Sequence, residues 1–126
     1  MPISTMEHVQ LGASGVRVSR IWLGAMTFGG ATHEAEAAAI VDLAREAGVN
    51  AIDTADVYTG GASEEIAGRL TAADRSRWII ATKAGAAAGP DPNQRGLSRR
   101  HLIEACKGSL KRLGTDWIDQ IGRAHV

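Results

Sequence analysis

Several absences narrow what this chain can be. Lys+Arg and Asp+Glu are both 14, so no basic excess argues for nucleic acid as a partner. No apolar run approaches the ~20 residues that span a bilayer. The start, Met1-Pro-Ile-Ser-Thr-Met6, lacks the charged region and apolar stretch of a secretory signal. The one cysteine, Cys106, excludes an internal disulfide, and a reducing, cytoplasmic setting is expected. His8, His33 and His101 are scattered without metal-ligand spacing and read as surface residues, so no metal site is expected. No Gly-x-Gly-x-x-Gly follows any candidate strand, which argues against a Rossmann nucleotide site.

What is present is a repeating pattern, preceded by a hairpin. Val9, Leu11, Val16 and Val18 flank Ala13-Ser14-Gly15 and predict a β-hairpin over residues 6–20. Ile21–Gly24 is a short strand, followed by a helix over 33–47 with Ala37, Ile40, Val41 and Ala44 on one face and Gly48 as its closing residue. Val49–Asp53 is the second strand, and a helix follows over 62–71, with Ser63 as N-cap and Glu64 and Glu65 in its first turn. Trp78–Lys83 is the third strand, then a Gly/Ala/Pro-rich loop from Ala84 to Gly96 that either borders a substrate mouth or is merely solvated. Its helix runs from the cap Ser98 to about Leu113, with Leu102, Cys106, Leu110 and Leu113 on one face, and ends at Gly114; a fourth strand opens at Trp117-Ile-Asp119. Trp22, Trp78 and Trp117 each begin a strand and read as packing residues. Apolar strands alternating with amphipathic helices imply a parallel sheet covered by helices, either an open doubly wound sheet or part of a (β/α)8 barrel. The hairpin suits a barrel, as a plug at its amino-terminal end. A whole barrel takes ~250 residues, so this chain has room for about half.

Asp53 and Lys83 close consecutive strands. Neighbouring parallel strands run ~4.8 Å apart, so the two charges are expected to meet above the carboxyl ends. Tyr58, the only tyrosine, lies on the loop between them. A phenol, with a pKa near ~10, is a weak acid near neutrality. An adjacent ammonium stabilises the phenolate, as a proton donor to a carbonyl oxygen requires. Spacing alone leaves plainer alternatives open, with Asp53 a loop cap and Lys83 a solvated strand end.

The run Asn50-Ala-Ile-Asp53-Thr-Ala-Asp-Val-Tyr58, with Gly60, Ser63, Glu64 and Glu65, resembles the first signature of the aldo-keto reductase family. Leu23-Gly24-Ala-Met-Thr-Phe-Gly-Gly30 resembles that family's first strand and loop, and Ile80-Ala-Thr-Lys83 the strand bearing its lysine. Arg95–Leu102 and Ser109–Asp119 resemble its third helix and the approach to its fourth strand. The resemblance implies an α/β fold: an N-terminal hairpin followed by roughly the first half of a (β/α)8 barrel. It also implies NADPH as cofactor and an aldehyde or ketone as small-molecule substrate, with Tyr58 as general acid tuned by Lys83 and Asp53. Gly24, Ala25, Met26 and Asp53 match positions near the nicotinamide. A non-catalytic NADPH-binding partner or regulatory subunit, like the potassium-channel β subunits that resemble this family, is the alternative. An unrelated phosphate-binding barrel would leave the combination of Asp53, Tyr58 and Lys83 unexplained.

The ending departs from the family, whose fourth strand continues to a histidine at the substrate oxygen. Ala124 stands at that position, and His125, one residue late, points to the opposite face of a strand, so no catalytic histidine is assigned. Gln120–Val126 matches the translation of a common sequencing-adapter string preceded by one cytosine. Residues 1–119 are therefore read as the N-terminal part of a reductase domain and 120–126 as a non-native tail, which resequencing the source DNA tests. The family's phosphate and adenine contacts come mostly from later strands, and half a barrel exposes a sheet edge. The isolated chain is expected to be inactive and to bind NADPH weakly or not at all.

Overall fold

A computed structural model describes residues 5–123 of the chain. The hairpin forms as expected: β1 (His8–Gln10) pairs antiparallel with β2 (Arg17–Ser19), with Val9 opposite Val18. It sits below the amino ends of the parallel strands. The Ser19 N–H donates to Asn50 Oδ1 at 2.8 Å, the Asn50 N–H donates to Ser19 Oγ at 3.1 Å, and Asn50 Nδ2 donates to the Arg17 carbonyl at 3.1 Å.

Four strands make the second sheet, all parallel and in chain order: β3 (Leu23–Gly24), β4 (Ala51–Asp53), β5 (Ile79–Ala84) and β6 (Gln120–Arg123). Three helices connect them: α1 (Glu34–Glu46), α2 (Ala62–Thr71) and α3 (Arg99–Leu113). Parallel order without reversal and a helix at each crossover give the sheet a single helical cover.

The ends of α1 and α3 follow from local chemistry. Gly48 takes φ 89°, its N–H donates to the Arg45 carbonyl and the Val49 N–H to the Ala44 carbonyl, which closes α1 in a Schellman turn. Ser98 caps α3 by accepting from the His101 N–H at 3.0 Å, and Gly114 ends it at φ 63°. The core lies between helices and sheet, built on Phe28, Val41, Ile52, Trp78, Ile80 and Leu113.

Five expectations are corrected. Ser63 is not the cap of α2: Gly61, at φ 100°, precedes the helix, and Ser63 is buried in its first turn. The buried face of α3 is His101, Ala105, Ser109 and Leu113, while Leu102, Cys106 and Leu110 are half-buried. The middle of that face is made of the small residues Ala105 and Ser109, and α2 and α3 approach closely: a Cβ on Gly68 would collide with the Leu113 carbonyl. His101 is therefore a buried residue at 4% exposure, not a surface one. The fourth strand begins at Gln120 rather than Trp117, because the Asp119 carboxylate first takes the Ile80 N–H at 2.8 Å and the Arg75 guanidinium at 3.3 Å. Of the tryptophans only Trp78 is buried; Trp117 lies half-exposed under Arg75, 4.0 Å from the guanidinium carbon to the ring centroid.

β6 belongs to the segment read as a non-native tail. Its four residues are exposed, and its backbone pairs with β5, a pairing blind to side-chain identity. Ala124 and His125 lie outside the described residues.

Candidate active site

The carboxyl ends of β3, β4 and β5 bring together the side chains singled out from the sequence. Asp53 stands opposite Gly24 on one side and Ala81 on the other. Lys83 is two residues beyond Ala81, so it points to the same face and reaches back over the strand end. Its Nζ donates to Asp53 Oδ2 at 2.7 Å, to the Thr54 carbonyl at 3.0 Å and to Tyr58 Oη at 3.2 Å. All three protons of the ammonium are thus directed, two of them at the acid and the phenol. The Tyr58 oxygen accepts from Lys83, which leaves its own O–H free to donate outward.

Burial works against the Lys83 charge. The hydrogen bonds to Asp53 and Tyr58, together with the Asp53 charge, outweigh it and raise the Lys83 pKa above its ordinary value. The side chains of Lys83 and Asp53 are 20% and 37% exposed, so the group opens to solvent at a surface.

The turn Tyr58–Gly61 is held by strain and its compensation. Thr59 adopts φ 53°, a left-handed conformation costly for a β-branched residue. Its hydroxyl donates to the Phe28 carbonyl at 2.8 Å and so ties the turn to the loop after β3. From below, the Ser63 hydroxyl donates to the Ala25 carbonyl at 2.6 Å and meets the Thr54 hydroxyl at 2.7 Å. Glu64, fully buried, accepts from Arg112 Nε and Thr82 Oγ1, each at 2.7 Å, and joins α2, α3 and β5. Sequence reasoning missed these supports, although one signal was available. Ser63 is four residues before Ala67, and Glu64 four before Gly68, so both fall on the inward side of α2.

Gly24 ends β3 with nothing within 4 Å of where a Cβ would stand, and Met26 is 62% exposed. Ala25 differs: its side chain is fully buried, and its N–H and carbonyl are taken by Asp53 and Ser63. The accessible surface at this strand end therefore comes from Gly24, Met26 and Asp53. The loop after β5 closes on itself through Gly96 N–H to the Gly85 carbonyl at 3.0 Å. With α3 it borders a polar cavity of about 380 Å³ lined by Asp91, Gln94, Arg100 and Glu104 among others. Among the described residues no group of three or more His, Cys, Asp or Glu could hold a metal, and no helix is long and apolar enough to cross a membrane.

The family model of the aldo/keto reductases matches residues 20–125. The chain belongs to the aldo/keto reductase family. An aldo-keto reductase from Bacillus halodurans, solved in its holo form, superposes with a TM-score of 0.80 at 37% identity over 92% of this chain and 39% of that one. Among curated proteins, one from Oryza sativa subsp. japonica, named a probable voltage-gated potassium channel subunit beta, is 43% identical over 92% of this chain. One of the same name from Arabidopsis thaliana is 44% identical over 90%. The chain spans 36% of the length of each. Its hairpin and parallel sheet match the first part of an aldo-keto reductase barrel.

Proposed function

We propose that this chain carries the proton-donating part of an NADPH-dependent reductase acting on an aldehyde or ketone in the cytoplasm. The observation that carries the reading is the Lys83 ammonium, bonded at once to Asp53 at 2.7 Å and Tyr58 at 3.2 Å above the strand ends. NADPH, when bound, supplies a hydride to the carbonyl carbon. The open backbone at Gly24, the exposed Met26 and the half-exposed Asp53 fit its nicotinamide end. Tyr58 holds the proton at Oη and gives it to the substrate's carbonyl oxygen. Lys83 stabilises the phenolate left behind, because its ammonium already points at that oxygen. Asp53 fixes the ammonium in place and keeps it charged.

In a full-length protein bearing these residues, Tyr58→Phe is expected to lower carbonyl-dependent NADPH oxidation by at least ~100-fold, the low end of a general acid's contribution, with cofactor affinity unchanged. Turnover that survives the substitution refutes the assignment. The curated relatives favour a second reading, a regulatory subunit that binds NADPH without appreciable turnover. Cofactor binding with no oxidation by any carbonyl substrate tried selects that reading.

A further inference from the structure

Apart from the Lys83 group, two buried polar side chains have unmatched atoms among the described residues: both carboxylate oxygens of Asp56 and Nε2 of His101. Asp56 is 7% exposed and His101 4%. A buried polar group left so carries an uncompensated desolvation cost, larger when it is charged. Both line one cavity of about 150 Å³ between the loop after β5 and α3, together with Gln94, Glu104 and Arg112. Burial, and then the negative charge of Glu64, raise the Asp56 pKa, and the charge of Arg112 pulls the other way.

Asp56 also belongs to the segment that sets Tyr58. Its N–H donates to the Lys83 carbonyl at 3.2 Å, and the turn Tyr58–Gly61 starts two residues on. We propose that Asp56 and His101 are joined across this cavity through a bridging water, and that the pair holds the turn carrying Tyr58 against α3. His101 is then a positioning residue for the phenol, a role that takes its catalytic meaning from the reading above. A buried water needs ~10–15 Å³ and two to four polar partners. The cavity supplies the room, two carboxylate oxygens and one ring nitrogen. The other charged groups facing Asp56 are Glu64 of α2 and Arg112 of α3, already paired at 2.7 Å, and Glu104 of α3 on the cavity wall.

Tyr58 is the only tyrosine, so its ring signals in an NMR spectrum of the 126-residue chain need no sorting. Asp56→Asn and His101→Gln are each expected to move the Tyr58 ring signals from their wild-type positions, and the double variant to move them no further than either single one. Glu104→Gln leaves them in place. Tyr58 signals unmoved by either of the first two substitutions, or shifts that add in the double variant, overturn the proposal. Should Asp56→Asn fail to fold, His101→Gln set beside Glu104→Gln decides alone. These measurements report conformation, so a failure of Tyr58 as proton donor, seen with Tyr58→Phe, is a separate result.

Discussion

Replacing Arg112 by methionine should cost this fold much of its stability. Glu64 is fully buried, and its Oε1 accepts from Arg112 Nε at 2.7 Å while Oε2 accepts from Thr82 Oγ1 at 2.7 Å. Removing one partner of a buried pair strands the other charge, at ~3–5 kcal/mol. Two features place Arg112→Met at the lower end, about 3 kcal/mol: Glu64 keeps the Thr82 hydroxyl, and Arg112 is itself 29% exposed. Against a total of ~5–15 kcal/mol for a domain, that is a large share. Adding Glu64→Met removes the stranded charge and should recover about 2 kcal/mol. The remaining ~1 kcal/mol reflects the Thr82 hydroxyl, left without its acceptor. Urea unfolding followed by tryptophan fluorescence measures both steps, since Trp78 is 1% exposed and reports the core. A loss below ~1 kcal/mol for Arg112→Met, or a further loss on adding Glu64→Met, refutes the reasoning.

Three further outcomes are expected. Because the Lys83 pKa is raised on folding, its ion pair contributes stability that is whole below the ordinary lysine value of ~10.4 and is lost as pH climbs through the folded value. The difference in unfolding free energy between wild type and Lys83→Met should therefore shrink only at strongly alkaline pH; a constant difference would argue against the pair. Gly68→Ala gains ~1 kcal/mol of helix preference but drives a methyl into the Leu113 carbonyl, so a net loss of ~2 kcal/mol is expected by thermal unfolding. The 126-residue chain alone, spanning 39% of the holo reductase it resembles, should leave nicotinamide fluorescence unchanged at micromolar NADPH, and a saturable change there would contradict this.

Local chemistry is visible in a sequence, and here it determined a good deal. The 3.6-residue spacing of Ala37, Val41 and Ala44 marked α1, and Gly48, Ser98 and Gly114 marked helix ends, because each acts on backbone groups within a few residues of itself. Asp53, Tyr58 and Lys83 were legible as one group because each stands at or just past a strand end, and parallel neighbours bring such ends together. What the tertiary structure alone decided involves partners distant in the chain. Ser63 looked like a cap until the Ala25 carbonyl claimed its hydroxyl. Glu64 looked like a first-turn acid favoured by the helix dipole until Arg112, 48 residues on, arrived beside it. The face of α3 that is buried depends on how closely α2 approaches at Gly68, so His101 turned inward and Leu102 stayed half-exposed. Spacing along a helix identifies a stripe, but only packing against a second element determines which side of that stripe is sealed from water.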